Sequence, residues 1–279
     1  MIEIENVYKF YNSKDSNRKK VKTTALHDIT LKLNKNCCYS LIGESGAGKT
    51  VLAKLILRLE KPSKGVISFN NFNIWKFNKK QLRAFRQKVQ FVFQDSYSSL
   101  NPRLTISESL AEPIRNFEKL PKKLEREKIE YLVTTVGLPV KSINKYPHQF
   151  SGGEQKRICI ARAIATNPEL IIFDEAVSGI DSTRKKNILD LLKNLQQNSK
   201  STYLFITHDL DVALYMSQNI IVMRSGRFVE KRTNAKMLND FTSSYAQRLA
   251  RASSAYAYSR IYKELLNKKH RGVKDEKKN

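Results

Sequence analysis

The chain has 279 residues, 41% of them hydrophobic, enough for one large domain or two small ones with a core. Its net charge of +25, from 51 basic and 26 acidic residues, suits nucleic acid, an anionic membrane surface or an acidic protein partner, and says nothing about fold. No apolar run approaches the roughly 20 residues needed to span a bilayer, the opening Met1-Ile2-Glu3-Ile4-Glu5 is no signal peptide, and the three cysteines, Cys37, Cys38 and Cys159, lack metal-ligand spacing and read as reduced core residues of a cytosolic protein.

Ile2 to Val7 alternates apolar and charged residues, the pattern of an antiparallel strand with one wet face. Tyr8, Phe10 and Tyr11 follow, and then Asn12 to Thr24, polar and basic with Arg18-Lys19-Lys20 inside it, reads as a loop. Ala25 to Leu33 alternates again and is expected to pair with the first strand. Cys37 to Ile42 reads as a short buried strand with Cys37 and Cys38 on opposite faces. It runs into Gly43-Glu44-Ser45-Gly46-Ala47-Gly48-Lys49-Thr50 and then into Val51 to Leu57, apolar at helical spacing. Pro62-Ser63-Lys64-Gly65 is a turn and Val66 to Phe69 a strand. Gln81 to Arg86 predicts a brief helix and Val89 to Phe93 a strand ending at Gln94.

Between Gln94 and Phe150 little reads as strand. Asp95 to Pro102 is turn-rich, and Thr105 to Phe117 and Leu124 to Val136 predict helices, a helical insert in an α/β core. Strand character returns at Leu170 to Glu175, followed by a helix at Thr183 to Gln196 and a strand at Thr202 to Thr207. A helix at Leu210 to Tyr215 and strands at Ile220 to Met223 and Phe228 to Glu230 complete the core pattern. Strands alternating with helices imply a parallel sheet covered on both faces. From Asn234 the chain reads as helical and polar, and Lys268 to Asn279 as a charged, disordered tail.

The stretch Gly43–Thr50 fits the phosphate-cradling pattern Gly, four residues, Gly-Lys-Ser/Thr, in the strand–loop–helix context that pattern needs. Glycines let successive backbone N–H groups point into one concavity, and with the helix N-terminus they favour a polyphosphate. Lys49 would reach the β- and γ-phosphates and Thr50 would offer its hydroxyl to Mg²⁺. A chance match is on the order of one in a hundred at an average glycine usage of about 7%. Asp174 ends an apolar strand, where ligands of open parallel sheets sit. It is placed to hold Mg²⁺ through water opposite Thr50, with Glu175 beside it to orient or deprotonate an attacking water. Phe150-Ser151-Gly152-Gly153-Glu154 precedes a helix that Ser151 can cap, with two more glycines exposing backbone N–H groups.

Over roughly Ile2 to Glu230 the chain resembles an ATP-binding cassette subunit of an ABC transporter. Gly43–Thr50 looks like that family's Walker A motif, Ser151-Gly152-Gly153-Glu154 like its signature, and Asp174-Glu175 like its Walker B aspartate and catalytic glutamate. Gln94 resembles the Q-loop glutamine that contacts Mg²⁺ and water, Ser178-Gly179-Ile180-Asp181 the D-loop, His208 the switch histidine at the γ-phosphate, and Tyr11 the aromatic that stacks on adenine. Phe150 and Glu154 stand where the family usually has Leu and Gln, Ala176 where it commonly has Pro, and Gly179 where it usually has Ala. More finely, Gln94 to Arg103, Ala111-Glu112-Pro113 and Tyr146 to Phe150 are similar to the second ATPase subunit of di- and oligopeptide or nickel importers.

The resemblance implies an α/β P-loop NTPase with a parallel sheet, an antiparallel β subdomain and a helical insert. The core would comprise residues 1–93 and 163–232, the signature-bearing helical subdomain 94–162, and a C-terminal extension 233–279. It further implies ATP and Mg²⁺ in a site closed by a second, homologous cassette, two transmembrane permease subunits, an extracellular solute-binding protein, and a place on the cytoplasmic face of the membrane. Gln94 would link nucleotide to insert. Rival readings are a cassette acting on nucleic acid or ribosomes, suggested by the charge, a non-catalytic regulatory cassette, and an exporter or immunity cassette. The single cassette without a heptad run speaks against direct nucleic-acid action, and the importer-like segments speak against the exporter.

Overall fold

The computed structural model describes residues 1–14, 20–235 and 240–252. Strands β1 (Ile2–Lys14) and β2 (Lys20–Leu33) form an antiparallel ladder with Ile2 opposite Leu33 and Ile4 opposite Leu31. Alternation buries Ile2, Ile4, Val7, Ile29, Leu31 and Leu33. A register shift after Ile4, with Asn6 at φ 46°, lets the extra residue bulge outward and returns Val7 to the buried face. The ladder continues where a loop was expected over Asn12 to Thr24: Tyr11 faces Thr23 and Asn12 faces Lys22. Residues 12–14 and 20–24 are hairpin arms, because backbone pairing needs no apolar side chains. The Lys22 ammonium lies 4.0 Å from the centroid of the Phe10 ring and adds a cation–π contact. Arg18 and Lys19 lie outside the described residues.

Strand β3 (Cys38–Ile42) leads through the glycine loop into α1 (Lys49–Ile56), followed by β4 (Lys64–Phe69) and β5 (Phe72–Asn73). The antiparallel sheet has the order β2-β1-β4-β5 and shares one apolar core with Leu52, Leu55 and Ile56 of α1. Helix α2 (Lys79–Lys88) opens with a reciprocal Asn78–Gln81 capping box and feeds β6 (Val89–Val92). The chain then runs through α3 (Ser96–Ser99), α4 (Ile106–Phe117), α5 (Lys122–Thr135) and α6 (Gly152–Ile164) without a strand. Thr105 and Glu108 box the start of α4, and Arg115 binds Glu125 of α5 through two hydrogen bonds of 2.9 and 2.7 Å.

The remaining elements are β7 (Leu170–Asp174), α7 (Ser182–Ser199), β8 (Thr202–Thr207), α8 (Leu210–Met216), β9 (Asn219–Arg224), β10 (Arg227–Thr233) and α9 (Ser244–Ala252). The six-stranded sheet has the order β10-β9-β3-β8-β7-β6, parallel throughout except for β10 on β9. Strands β3, β7 and β8 are buried along their whole length, so they read as continuous apolar runs rather than alternations. One sheet face, with Leu41, Ile172 and Ile206, packs with α1 and the antiparallel sheet. The other, with Ile171, Phe173 and Phe205, packs on the helices of the 94–164 region and α7. There Phe173 stacks on Phe205 at 4.7 Å. Cys38 and Cys159 are buried as expected, but Cys37 is only half-buried, one residue short of the strand. No described helix is long and apolar enough to cross a membrane. The expected tail, Lys268 to Asn279, lies outside the described residues.

Candidate functional site

The loop from Gly43 to Thr50 is shaped by contacts that tolerate no side chain at two of its glycines. A Cβ on Gly43 would meet the Met223 carbonyl oxygen at 2.2 Å, and one on Gly48 would meet the Ala25 carbonyl oxygen at 2.8 Å. Gly48 also sits at φ 103°, where L-residues are strained. Lys49, 7% exposed, reaches back so that its Nζ donates to the Gly43 oxygen at 2.7 Å and the Glu44 oxygen at 2.9 Å. Burial pushes the Lys49 ammonium below its usual range, opposed by the charges of Glu175, Asp174 and Glu44. No side chain caps α1 and no acidic residue occupies its first turn. Its N-terminal donors are left for an anion, which this end of a helix favours.

Asp174 closes β7 and is 8% exposed. The Thr50 hydroxyl donates to its Oδ2 at 3.1 Å. Burial raises the Asp174 pKa, and the Thr50 bond only partly offsets it. A carboxylate carrying that cost is one that a cation would relieve. Among the described residues no group of three or more His, Cys, Asp or Glu is arranged to hold a metal ion by itself. The pair therefore suits a hard cation that takes its other ligands from phosphate and water, as Mg²⁺ does. Glu175 adopts φ 48°, a left-handed conformation rare outside glycine and costing on the order of 1–3 kcal/mol. It is held there by its own N–H on the Ile206 oxygen (2.9 Å), and by the Ser178 amide (3.1 Å) and hydroxyl (2.6 Å) on its carbonyl. The turn delivers Oε1 to His208 Nδ1 at 2.8 Å and leaves Oε2 buried without a hydrogen-bond partner. His208, at the end of β8, keeps 63% of its side chain exposed.

Lys49, Thr50, Asp174, Glu175 and His208 thus stand together at the carboxyl ends of β3, β7 and β8, which are neighbours in the sheet. Gln94 follows β6 on the same edge with an exposed side chain. Its carbonyl accepts a hydrogen bond from Lys156 Nζ of α6. Lys156 is 6% exposed, and burial lowers its pKa against the charges of Cys159, Asp95 and Glu175. Sequence reasoning missed this residue; its only signal was a cation at an inward position of an apolar helix.

Ser151 caps α6, and Glu154 turns back so that its Oε2 accepts from the Ser151 amide at 2.9 Å and hydroxyl at 2.8 Å. Those bonds hold the Glu154 carboxyl below the usual range, the amide first. A Cβ on Gly152 would meet nothing within 4 Å, and on Gly153 only the Arg184 Cδ at 4.0 Å. Asp181 caps α7 by accepting from the Arg184 amide at 3.0 Å. Tyr11 is not brought to this cluster by any bond described: its hydroxyl donates to Glu60 Oε2 at 2.5 Å, past the C-terminal end of α1, while the phosphate loop opens the other end. Burial and that carboxylate push its pKa up to about 12.

Three comparisons bear on this arrangement. The ABC transporter family profile matches residues 26–178. The chain is 41% identical over 228 residues to the oligopeptide transport ATP-binding protein OppF of Lactococcus lactis subsp. lactis (strain IL1403), covering 82% of this chain and 72% of that protein. It is 38% identical over 237 residues to the nickel import ATP-binding protein NikE of Brucella suis biovar 1 (strain 1330), covering 85% and 89%. Its fold superposes on the dimeric, post-hydrolysis ATP-binding cassette MJ0796 bound to ADP and Pi, with a TM-score of 0.75 and 29% identity, over 84% of this chain and 99% of that one.

Proposed function

This chain belongs to the ABC transporter family as an ATP-binding, ATP-hydrolysing cassette, and on that premise we propose that it powers uptake of oligopeptides or nickel through a membrane permease. The observation that carries the chemistry is the Glu175 carboxylate, one oxygen tied to His208 and the other buried and unpartnered beside Asp174. The importer assignment is supported by the likeness to the OppF and NikE proteins.

The residues divide the work as follows. The loop from Gly43 to Thr50, through those of its amides that face the concavity, and the α1 N-terminus bind the β- and γ-phosphates, and Lys49 exchanges its two loop carbonyls for phosphate oxygens. Mg²⁺ carried in with the nucleotide would be held by Thr50 and Asp174, with Gln94 at its edge, and would neutralise charge on the phosphate oxygens. Glu175 Oε2 orients a water in line with the γ-phosphate and takes its proton, while His208 fixes Oε1 and presents its exposed ring edge to the γ-phosphate. Tyr11 has its hydroxyl committed to Glu60 beyond the far end of α1, so its exposed ring, away from the phosphate cluster, is what would stack on the adenine. Residues 1–93 and 163–232 act as the core, 94–162 as the moving helical subdomain, and 233–279 as an extension. Gln94, where the chain leaves β6 for the subdomain, couples the first two, its carbonyl held by Lys156.

The open glycines of the signature give the second half of the proposal. Gly152 and Gly153 cost helix stability and serve no packing in this chain. Their role is to let Ser151, Gly152, Gly153 and Glu154 approach a nucleotide held by a facing cassette, with Ser178 and Asp181 at the same seam. The facing subunit is a homologous cassette, and two permease subunits with an external solute-binding protein complete the importer at the cytoplasmic face of the membrane. Uptake of a labelled oligopeptide and of Ni²⁺ in cells lacking this chain tests the reading. Loss of one uptake, restored by the wild-type chain but not by Glu175→Gln, is expected. Unchanged uptake of both would overturn the importer assignment and leave ATP hydrolysis to be judged on purified protein.

A further inference from the structure

Helix α9 begins 194 residues beyond Thr50, yet the Glu44 amide donates to the Tyr245 hydroxyl of that helix at 3.2 Å across 201 residues of sequence. Tyr245 is 5% exposed, packed with Ile42, Leu210 and Val222, and the Arg224 guanidinium lies 4.9 Å from its ring centroid. The start of its segment is tied down separately, because the Thr242 and Ser243 amides donate to Glu230 of β10 at 2.8 and 2.9 Å.

The bond acts on one particular peptide. The Gly43–Glu44 unit offers its C=O to Lys49 Nζ at 2.7 Å and its N–H to Tyr245. In a trans peptide these groups point in opposite directions. Lys49 therefore holds the unit from the phosphate side and Tyr245 from behind. Behind the loop the Met223 carbonyl walls off Gly43, and the Gly226 amide donates to the Ala47 oxygen at 2.9 Å. When phosphate draws Lys49 away, the Gly43 carbonyl loses its partner and only the rear bond keeps the peptide from turning over.

We propose that Tyr245 is a positioning residue of the nucleotide site, its hydroxyl bracing the Gly43–Glu44 peptide so that the C-terminal helix holds the phosphate loop in its anion-accepting shape. This rests on the reading of the loop as an ATP site. The test is titration of the full chain with Mg·ATP, with Tyr245→Phe against wild type and with Leu249→Ala as a control that loosens the same helix without touching the hydroxyl. Losing one neutral hydrogen bond should weaken Mg·ATP binding about fivefold. In the assembled cassette pair, KM for ATP should rise by a similar factor with kcat held within about twofold. Leu249→Ala should lower the melting temperature and keep wild-type affinity. Wild-type affinity in Tyr245→Phe, or an equal loss in Leu249→Ala, overturns the proposal. Failure of the wild-type chain itself to bind Mg·ATP would instead overturn the nucleotide reading beneath it.

Discussion

Two glycine pairs in this molecule look alike in sequence and differ in physics. Gly43 and Gly48 are demanded by their own chain, since a Cβ at either would strike backbone oxygen at 2.2 and 2.8 Å. Gly152 and Gly153 border open space and take no left-handed conformation. One pair shapes a pocket whose parts all belong to this molecule. The other leaves the first turn of α6, capped by Ser151, without side chains that this chain packs against, which fits the proposal that a facing cassette approaches there. On the proposed function, the difference divides the catalytic apparatus into a self-contained half and a half addressed to another subunit.

The self-contained half is where the largest effect is expected. Glu175→Gln removes the proposed base and should cut hydrolysis by the cassette pair on the order of 10²–10⁴-fold while Mg·ATP binding persists; single-turnover kinetics beside a binding titration separate the two. Gly43→Ala should break the pocket from within: backbone must shift to admit the methyl, at about 1–3 kcal/mol in chemical denaturation, with loss of ATP affinity. Gly153→Ala should do the opposite. Its stability should stay neutral or rise by up to about 0.5 kcal/mol, its own ATP binding should be unchanged, and hydrolysis at the facing subunit's site should fall at least about tenfold. If both alanines behaved alike, the division would not hold.

A smaller effect probes the brace behind the pocket. Burial alone would raise the Glu230 pKa, but the Ser243 hydroxyl and the Thr242 and Ser243 amides outweigh it and hold the carboxyl down at about 2. A depressed folded pKa contributes stability that is present above the unfolded value of about 4.3 and is lost as pH falls towards about 2. Glu230→Gln should therefore flatten the acid limb of the stability curve and cost about 2 kcal/mol at neutral pH. An acid limb identical to wild type would mean that the segment carrying Tyr245 is not held through Glu230.

How far these features could be read beforehand follows from how local each one is. The phosphate loop is contiguous, and β3, β7 and β8 are fully buried apolar runs, so that part of the fold announced itself. The hairpin arms at residues 12–14 and 20–24 did not, because the sequence there is mostly polar and the pairing is backbone to backbone. The left-handed Glu175 is invisible in a residue string, since its strain is held by Ile206 and Ser178 contacts of the finished fold. Lys156 and Tyr245 were missed for the same reason: each acts on a loop 62 or 201 residues away. The seam between two cassettes could be suspected from Ser151-Gly152-Gly153-Glu154, but only the open space around those glycines gives it a physical argument.

On the proposed function, this chain completes its nucleotide site only with a second cassette. Light scattering of Glu175→Gln mixed with its facing cassette, with and without millimolar Mg·ATP, tests it most directly. The expected result is ATP-dependent association that Gly153→Ala abolishes. Bound ATP with no association, or association indifferent to Gly153→Ala, would contradict it.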